Sequence, residues 1–284
     1  MRKIRLIFMV AFQIFFRFLY RVPILSTIVH SLTCFFAGLS RMFSGSKPLS
    51  SYTSGNDIPK KRLILYEYEG CPFCRIVRET LSLLSIEVLI YPCPRETLKK
   101  YGHLENSRFR GEVKKLGNKV MFPYLVDENT GKSLYESRDI VAYLWEHYSE
   151  GQNKPFFFKL SMRGPFLILG FFLHALMRPL PSMGILRTPS KRPEKLLELW
   201  GREHHIGTKR IRETLCTLEI PYILHHSNIE PKGTLKDPNS QKSFRNANEA
   251  CSYLFASYQD GSTTEESLLD YGKDDRRIKR PPKT

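Results

Sequence analysis

The chain has 284 residues, a net charge of +16 and six cysteines, so it is long enough for two domains of ordinary size. The cysteines are irregularly spaced, which excludes the disulfide framework of a small secreted protein and favours a reducing compartment. Two acid-free apolar segments, 1–56 and 151–193, each carry seven Lys or Arg residues. This combination favours an anionic membrane surface, and not nucleic acid, as the partner.

Residues 1–56 are predicted to form a basic, apolar anchor or targeting segment. The apolar run 6–16 ends at Arg17 and is too short to span a bilayer, while the uncharged run 22–39 is a marginal span. Three interpretations stay open: an interfacial amphipathic anchor, one membrane-spanning helix, or a cleaved presequence. The first two place the protein on a membrane, with its cytosolic face preferred. The third places it in a plastid or mitochondrion.

The motif Cys71-Pro72-Phe73-Cys74 follows the first predicted strand. Residues 63–68 alternate and are rich in β-formers, and apolar residues recur at helical spacing from 76 to 84. Cys71 therefore lies at the positive end of a helix, where its thiolate is favoured, and Pro72 takes the first helical position. Cys74 lies one turn further on, within reach of a disulfide formed by Cys71. The pattern predicts a thiol–disulfide exchange site.

Two other interpretations of the cysteine pair stay open. Half of a zinc site would need two more ligands, and Cys93 is the one plausible third ligand, since the other cysteines are scattered singly. The pair could also be purely structural. No metal is predicted.

Residues 151–194 are predicted to be an apolar, basic linker. Its run Phe166–Met177 has twelve residues, too few to cross a bilayer as a helix. Two interpretations of this run stay open: a linker helix that packs across both domains, or a segment that contacts a membrane surface.

The chain also contains an internal repeat. At an offset of 134, residues 63–90 align with 197–224, and at an offset of 110, residues 126–148 align with 236–258. The second copy therefore lacks 24 residues. His205 and Thr208 replace the two cysteines in it, and Gly233 aligns with Pro123. The second unit is predicted to be a degenerate, truncated structural copy.

Three motifs, at 66–79, 121–127 and 134–140, resemble in order and spacing the glutaredoxin and glutathione transferase N-terminal domains. The two-copy arrangement is similar to tandem glutathione transferase N-terminal-like proteins of cyanobacteria and plastids. The resemblance implies an α/β fold with two thioredoxin-like units, each with a mixed four-stranded sheet.

The resemblance also implies roles for individual residues. Cys71 is the nucleophile and Cys74 the resolving thiol. A cis peptide before Pro123 turns the Phe122 backbone toward the Cys71 sulfur, where glutathione pairs with it as an added strand.

At the next helix, Glu136 and Ser137 hold the γ-glutamyl amine and carboxylate of glutathione. Tyr68 and Arg75 flank the cysteines and are assigned to its glycyl end.

The predicted function is a glutathione-dependent thiol–disulfide oxidoreductase near a membrane, with glutathione as co-substrate and an unknown disulfide substrate. One alternative is a glutathione transferase or an isomerase resembling prostaglandin E synthase type 2, although the helical domain of those proteins is missing here. The other is a non-catalytic scaffold or a heme or iron–sulfur module. The predicted segments are an anchor (1–56), a catalytic domain (57–150), a linker (151–194), a degenerate unit (195–258) and a disordered tail (259–284).

Overall fold

The computed structural model describes residues 23–49, 59–97, 107–177, 184–226 and 229–259. These residues form a mixed α/β structure, which confirms the predicted fold class. The predictions made for residues 1–22 and for the tail beyond residue 259 lie outside the described residues.

The first half of the chain begins with an apolar helix and continues into a βαβ arrangement. Its elements are α1 (Pro23–Leu39), β1 (Leu63–Glu67), α2 (Pro72–Leu83), β2 (Val88–Pro92), β3 (Glu96–Thr97), α3 (Arg110–Gly117), β4 (Tyr124–Asp127), β5 (Lys132–Leu134) and α4 (Ser137–Tyr148). Strands β1 and β2 are parallel, so helix α2 serves as the crossover between them.

The second half begins with two apolar helices and then repeats that order of elements in a shorter form. Its elements are α5 (Phe156–Ser161), α6 (Gly164–Met177), β6 (Leu186–Arg187), β7 (Leu197–Trp200), α7 (Ile206–Thr217), β8 (Tyr222–His225), β9 (Thr234–Asp237), β10 (Lys242–Phe244) and α8 (Ala247–Tyr258).

The main sheet has eight strands in the order β10-β9-β7-β8-β2-β1-β4-β5. In the first half β1 is parallel to β2 and antiparallel to β4, which pairs with β5. Strands β7, β8, β9 and β10 pair in the same way. The sequence predicted four strands for each unit, and the structure joins the two sets edge to edge.

The join between the halves is the antiparallel pair β2 and β8, and its register is symmetric. Leu89 lies opposite Ile223, which is its own counterpart at the offset of 134. On either side, Val88 pairs with Leu224 and Ile90 with Tyr222. The two halves are therefore related locally by a pseudo-two-fold axis, as in an isologous interface.

In each half, one asparagine side chain holds the backbone just before a central strand, β1 or β7, with two hydrogen bonds; we call this arrangement an asparagine clamp. The side chain of Asn129 accepts from the Lys61 amide at 2.7 Å and donates to the Lys61 carbonyl at 2.8 Å. Asn239 does the same for Lys195, at 2.7 and 3.0 Å. The local geometry thus follows the sequence repeat.

Four buried charged side chains cross the join in a symmetric arrangement. The Arg78 guanidinium donates to the Glu203 carboxylate at 2.9 Å, and Arg212 donates to Glu69 at the same distance. All four side chains are at most 1% exposed. Each half therefore supplies the counter-charges that the other half needs in its interior.

The helices α1, α5 and α6 cover the first half. Helix α6 packs on α1, on α2 and on α5. Arg41, just after α1, pairs with Glu79 of α2 at 2.9 Å, and His30 contacts Glu213 of α7 at 3.0 Å. Within the described ranges, none of the helices has the length and hydropathy needed to cross a membrane.

Candidate active site

Cys71 lies at the N-cap of helix α2, where the sequence placed it. Its sulfur accepts a hydrogen bond from the Cys74 backbone amide at 3.2 Å, and Pro72 occupies the first helical position. The Cys71 amide donates to the Tyr68 carbonyl at 3.0 Å, which closes the turn that leads in from β1. The sulfur therefore takes the place of the side-chain oxygen in an ordinary N-cap.

The surroundings of Cys71 and Cys74 shift the pKa values of the two thiols in opposite directions. Burial alone would raise the pKa of Cys71, but hydrogen bonds from Cys74 and from the Phe73 amide outweigh it and lower that pKa. Burial raises the pKa of Cys74 well above its usual value, and the hydrogen bond to Cys71 adds to the effect. Cys71 is thus the more acidic of the two thiols.

The loop before β4 faces the cysteine turn. The peptide bond between Phe122 and Pro123 is cis, as expected. The half-buried Tyr68 ring meets the Phe122 ring edge-on at 6.5 Å between centroids. This contact places the Phe122 ring beside Tyr68, the residue whose carbonyl accepts from the Cys71 amide.

The turn into α4 contains the other two predicted residues. Glu136 is the N-cap residue with φ of +60°, and its side chain makes no capping hydrogen bond. Ser137 is buried and begins the helix. Such a backbone angle is costly for a residue with a Cβ and tends to be kept at binding sites. The stacked rings of Tyr124 and Tyr135, 4.3 Å apart, connect this turn to β4.

Tyr68 contributes more to the site than the sequence indicated. Its side chain is hydrogen-bonded to Cys71, and burial together with the neighbouring cysteines raises its pKa. A hydroxyl that keeps its proton can donate to the Cys71 thiolate. The sequence feature that could have indicated this contact is the position of Tyr68, three residues before Cys71.

The prediction for Arg75 was wrong. Its side chain is 1% exposed and pairs with Glu79 at 3.0 Å and with His174 of α6 at 2.9 Å. Arg75 lies on the inner face of α2, four residues before Glu79, so it joins the helices and cannot reach a ligand at Cys71.

The equivalent place in the second half is filled by an imidazole. His205 is the N-cap of α7, and its Nδ1 accepts from the Thr208 amide at 3.2 Å, as Cys71 does from Cys74. A Cβ added to Gly233 would lie 2.9 Å from the His205 ring. The side chain of His205 thus occupies the space opposite the residue that aligns with Pro123.

The zinc interpretation finds no support in the described part of the chain. No group of three or more His, Cys, Asp or Glu side chains there is arranged to hold a metal ion. Cys93 is buried, and its sulfur contacts the Tyr91 carbonyl at 3.5 Å.

Comparison with known proteins bears on the first half of the chain. Residues 65–152 match the family described as glutathione S-transferase, N-terminal domain. A solved structure of the Bombyx mori glutathione transferase BmGSTD1, in complex with GTT, is 24% identical over 32% of this chain, with a TM-score of 0.26. The match spans 38% of that protein. No curated protein matches. The family match thus supports a thioredoxin-like fold, similar to the glutathione S-transferase N-terminal domain, for residues 65–152.

Proposed function

We propose that this protein is a glutathione-dependent thiol–disulfide oxidoreductase that acts close to a membrane, on its cytosolic side. The observation that supports the chemistry is the difference between the two thiols. Cys71 is the N-cap of helix α2 and has a lowered pKa, whereas Cys74, one turn away inside the helix, has a raised pKa. A thiolate next to a protonated partner is the state that begins thiol–disulfide exchange. The domain match to a glutathione transferase N-terminal domain supports glutathione as the co-substrate.

The exchange proceeds in two balanced steps. The Cys71 thiolate attacks the glutathione sulfur of a mixed disulfide; the old S–S bond breaks, and the substrate leaves as a thiolate that takes a proton from water. A second glutathione thiolate can then attack the glutathione sulfur of the Cys71–glutathione disulfide, which releases oxidised glutathione and frees the Cys71 thiolate. Alternatively, Cys74 loses its proton and attacks the Cys71 sulfur, which forms the Cys71–Cys74 disulfide and releases glutathione as a thiolate. Two further glutathione molecules reduce that disulfide and are themselves oxidised.

Glutathione would lie along the loop before β4. In this proposal the Phe122 backbone next to cis-Pro123 pairs with the cysteinyl part of the tripeptide, as an added strand would. Glu136 and Ser137, at the start of α4, bind the γ-glutamyl group. The unused capping capacity of Glu136 supports this role.

We further propose that the second half is a degenerate copy of the first and supports it without chemistry of its own. The repeated strand pairing, the two asparagine clamps and the crossed Arg–Glu pairs support this. His205 in the place of the nucleophile leaves no thiol there.

The test is the pKa of Cys71, measured by pH-dependent alkylation of the full chain with and without reduced glutathione. A pKa below the usual thiol value of about 8.5, with a mixed disulfide formed at Cys71, is expected. Cys71→Ser is the control for the labelled site. An unshifted Cys71 that does not react with glutathione would reject the enzyme and leave the scaffold alternative.

A further inference from the structure

Two of the helices that cover the first half, α1 and α6, have their polarity reversed. In α1 the buried side chains are His30, Thr33, Cys34 and Ala37, at the spacing of one helix face. The opposite face exposes large apolar side chains, each about half exposed: Ile28, Leu32, Phe35, Phe36 and Leu39. A helix that faces water has the opposite arrangement.

Helix α6 shows the same reversal. Its inner face consists of Leu167, Gly170 and His174, and a Cβ on Gly170 would lie 2.9 Å from the Arg41 side chain, so the helix lies very close to the end of α1. Its outer face exposes Phe166, Ile168, Leu169 and Phe172, which are 42–69% exposed. The most apolar residues of α6 therefore point away from the protein.

Helix α5 extends this apolar surface. Phe156 and Phe157 are 72% and 61% exposed, while Phe158 on the inner side is buried against Trp145. Since α6 packs on both α1 and α5, the three helices together form one apolar layer. We call the exposed apolar side chains of α1, α5 and α6 the outer apolar face. A patch of this kind on a chain in water marks an interaction site.

Positive charge lies beside this face. Lys154, Lys159 and Arg138 line a groove between α4 and α5, and the exposed Arg163 follows α5. One carboxylate, Glu146, lines the adjoining groove. Apolar side chains flanked by lysine and arginine complement the acyl chains and the anionic headgroups of a bilayer, whereas a protein partner would not require an acid-free segment from 151 to 193.

We propose that the outer apolar face lies in the surface of an anionic bilayer, with Phe156, Phe157, Ile168, Leu169 and Phe172 inserted among the acyl chains. This inference makes the membrane part of the proposed function specific and rests on it. The Phe73 ring, within the Cys-Pro-Phe-Cys motif, contacts Phe171 of α6 at 4.5 Å between centroids. Docking through α6 therefore holds the cysteine motif beside the membrane, which favours disulfides of membrane-bound molecules as substrates.

The test uses tryptophan as a depth probe in the full chain. Phe157→Trp and Phe172→Trp place an indole on the outer apolar face, and Ile229→Trp places one at an exposed position in the second half. Vesicles of phosphatidylcholine with phosphatidylglycerol contain a fraction of doxyl-labelled lipid as quencher, and the signal of the unmodified chain is subtracted. We expect quenching and a blue shift for the first two variants, and neither for Ile229→Trp. Vesicles of phosphatidylcholine alone should give a weaker effect.

A second experiment tests the positive charges beside the outer apolar face. The double variant Lys154→Glu, Lys159→Glu should have a partition coefficient into anionic vesicles that is lower by about tenfold or more. Vesicle flotation measures this, and Lys232→Glu with Lys242→Glu in the second half is the matched control. If the chain floats while the indoles of Phe157→Trp and Phe172→Trp remain unquenched, residues outside this face anchor it and the proposal is rejected.

The indoles of Phe157→Trp and Phe172→Trp could also be shielded from water in the absence of vesicles. If the molecular mass of the protein then rises with its concentration, a second copy of the chain covers the outer apolar face, and the proposal is rejected. The probes are read again in a Cys71→Ser background. Docking that persists there, with thiol exchange lost, separates a failure of the chemistry from a failure of the docking.

Discussion

At the scale of single residues, the position of a sulfur relative to one helix start accounts for most of the proposed chemistry. Cys71 has the same backbone conformation as an N-cap serine or aspartate and receives the Cys74 amide hydrogen bond. Cys74, one turn on, is inside the helix and has no such stabilisation. The opposite pKa shifts of two identical side chains follow from the geometry of the helix terminus and from burial.

We expect the two cysteines to respond differently to serine substitution. Cys71→Ser should abolish exchange with glutathionylated peptides, because no thiolate remains at the N-cap. Cys74→Ser should keep that activity within about threefold but lower the reduction of protein disulfides by roughly 100-fold, because resolution needs the second thiol. Turnover with both substrates measures this. Equal loss for both variants on both substrates would contradict the assignment of roles.

The lowered pKa of Cys71 also predicts a pH dependence of stability. Because the folded pKa lies below that of the unfolded thiol, the stabilisation is fully present above the unfolded value of about 8.5 and is lost as the pH falls through the folded pKa. The unfolding free energy of the reduced protein, relative to Cys71→Ser, should therefore rise with pH across this window. A flat difference would show that the thiolate is not stabilised by folding.

Gly233 gives a second prediction at this scale. Its φ of +87° disfavours any side chain, and a Cβ would also meet His205. Gly131 has a φ of +71° with open space around it and is the control. Gly131→Ala should cost about 1 kcal/mol, and Gly233→Ala about 1–3 kcal/mol more, from the overpacking. In the double variant Gly233→Ala, His205→Ala, the free energy of unfolding measured in urea should regain this additional loss. No recovery would mean that the imidazole is not the obstacle.

At the scale of elements, helices α2 and α7 hold the two halves together through their charged side chains. Each helix brings one arginine, Arg78 or Arg212, to the acidic residue of the other half. Burial by itself opposes ionisation of Glu203, but Arg212 and Arg78 hold its pKa well below the usual value. Helices α2 and α7 therefore stabilise each other because the arginine of each one pairs with a glutamate of the opposite half.

Breaking one of these pairs should be costly. Glu203→Gln removes a carboxylate that pairs with both Arg78 and Arg212 and leaves Glu67 and Glu69 as their buried partners. We therefore expect a loss of about 3–5 kcal/mol in the free energy of unfolding. The control is Glu128→Gln, which removes the exposed pair with Lys61 at 3.5 Å and should change stability by less than about 1 kcal/mol. Urea denaturation measures both. Equal effects would show that the buried network contributes no more than a surface pair.

At the scale of the whole molecule, the two halves of the described chain share one eight-stranded sheet. Strand β2 has β1 on one side and β8 on the other, so removal of the second half would expose a buried, apolar edge strand. The residues 57–150 expressed alone should therefore aggregate, or pair through β2 as a dimer. Light scattering and size-exclusion chromatography measure this. A stable, monomeric 57–150 fragment would contradict the argument.

The sequence by itself determined the features that are local or periodic. The α/β class, the strand before the cysteine motif and the helix start at Pro72 follow from patterns within a few residues, and the offset of 134 predicted which residues would be equivalent. The cis bond before Pro123 was implied by the resemblance of the motif at 121–127 to a known family. Only the tertiary structure decided how the equivalent parts meet. The β2–β8 join, the crossed Arg–Glu pairs and the contact of Arg75 with His174 depend on residues that are far apart in the chain. The reversed polarity of α1 and α6 also became visible only there, because composition gives the amount of apolar surface and packing decides which side of a helix is covered.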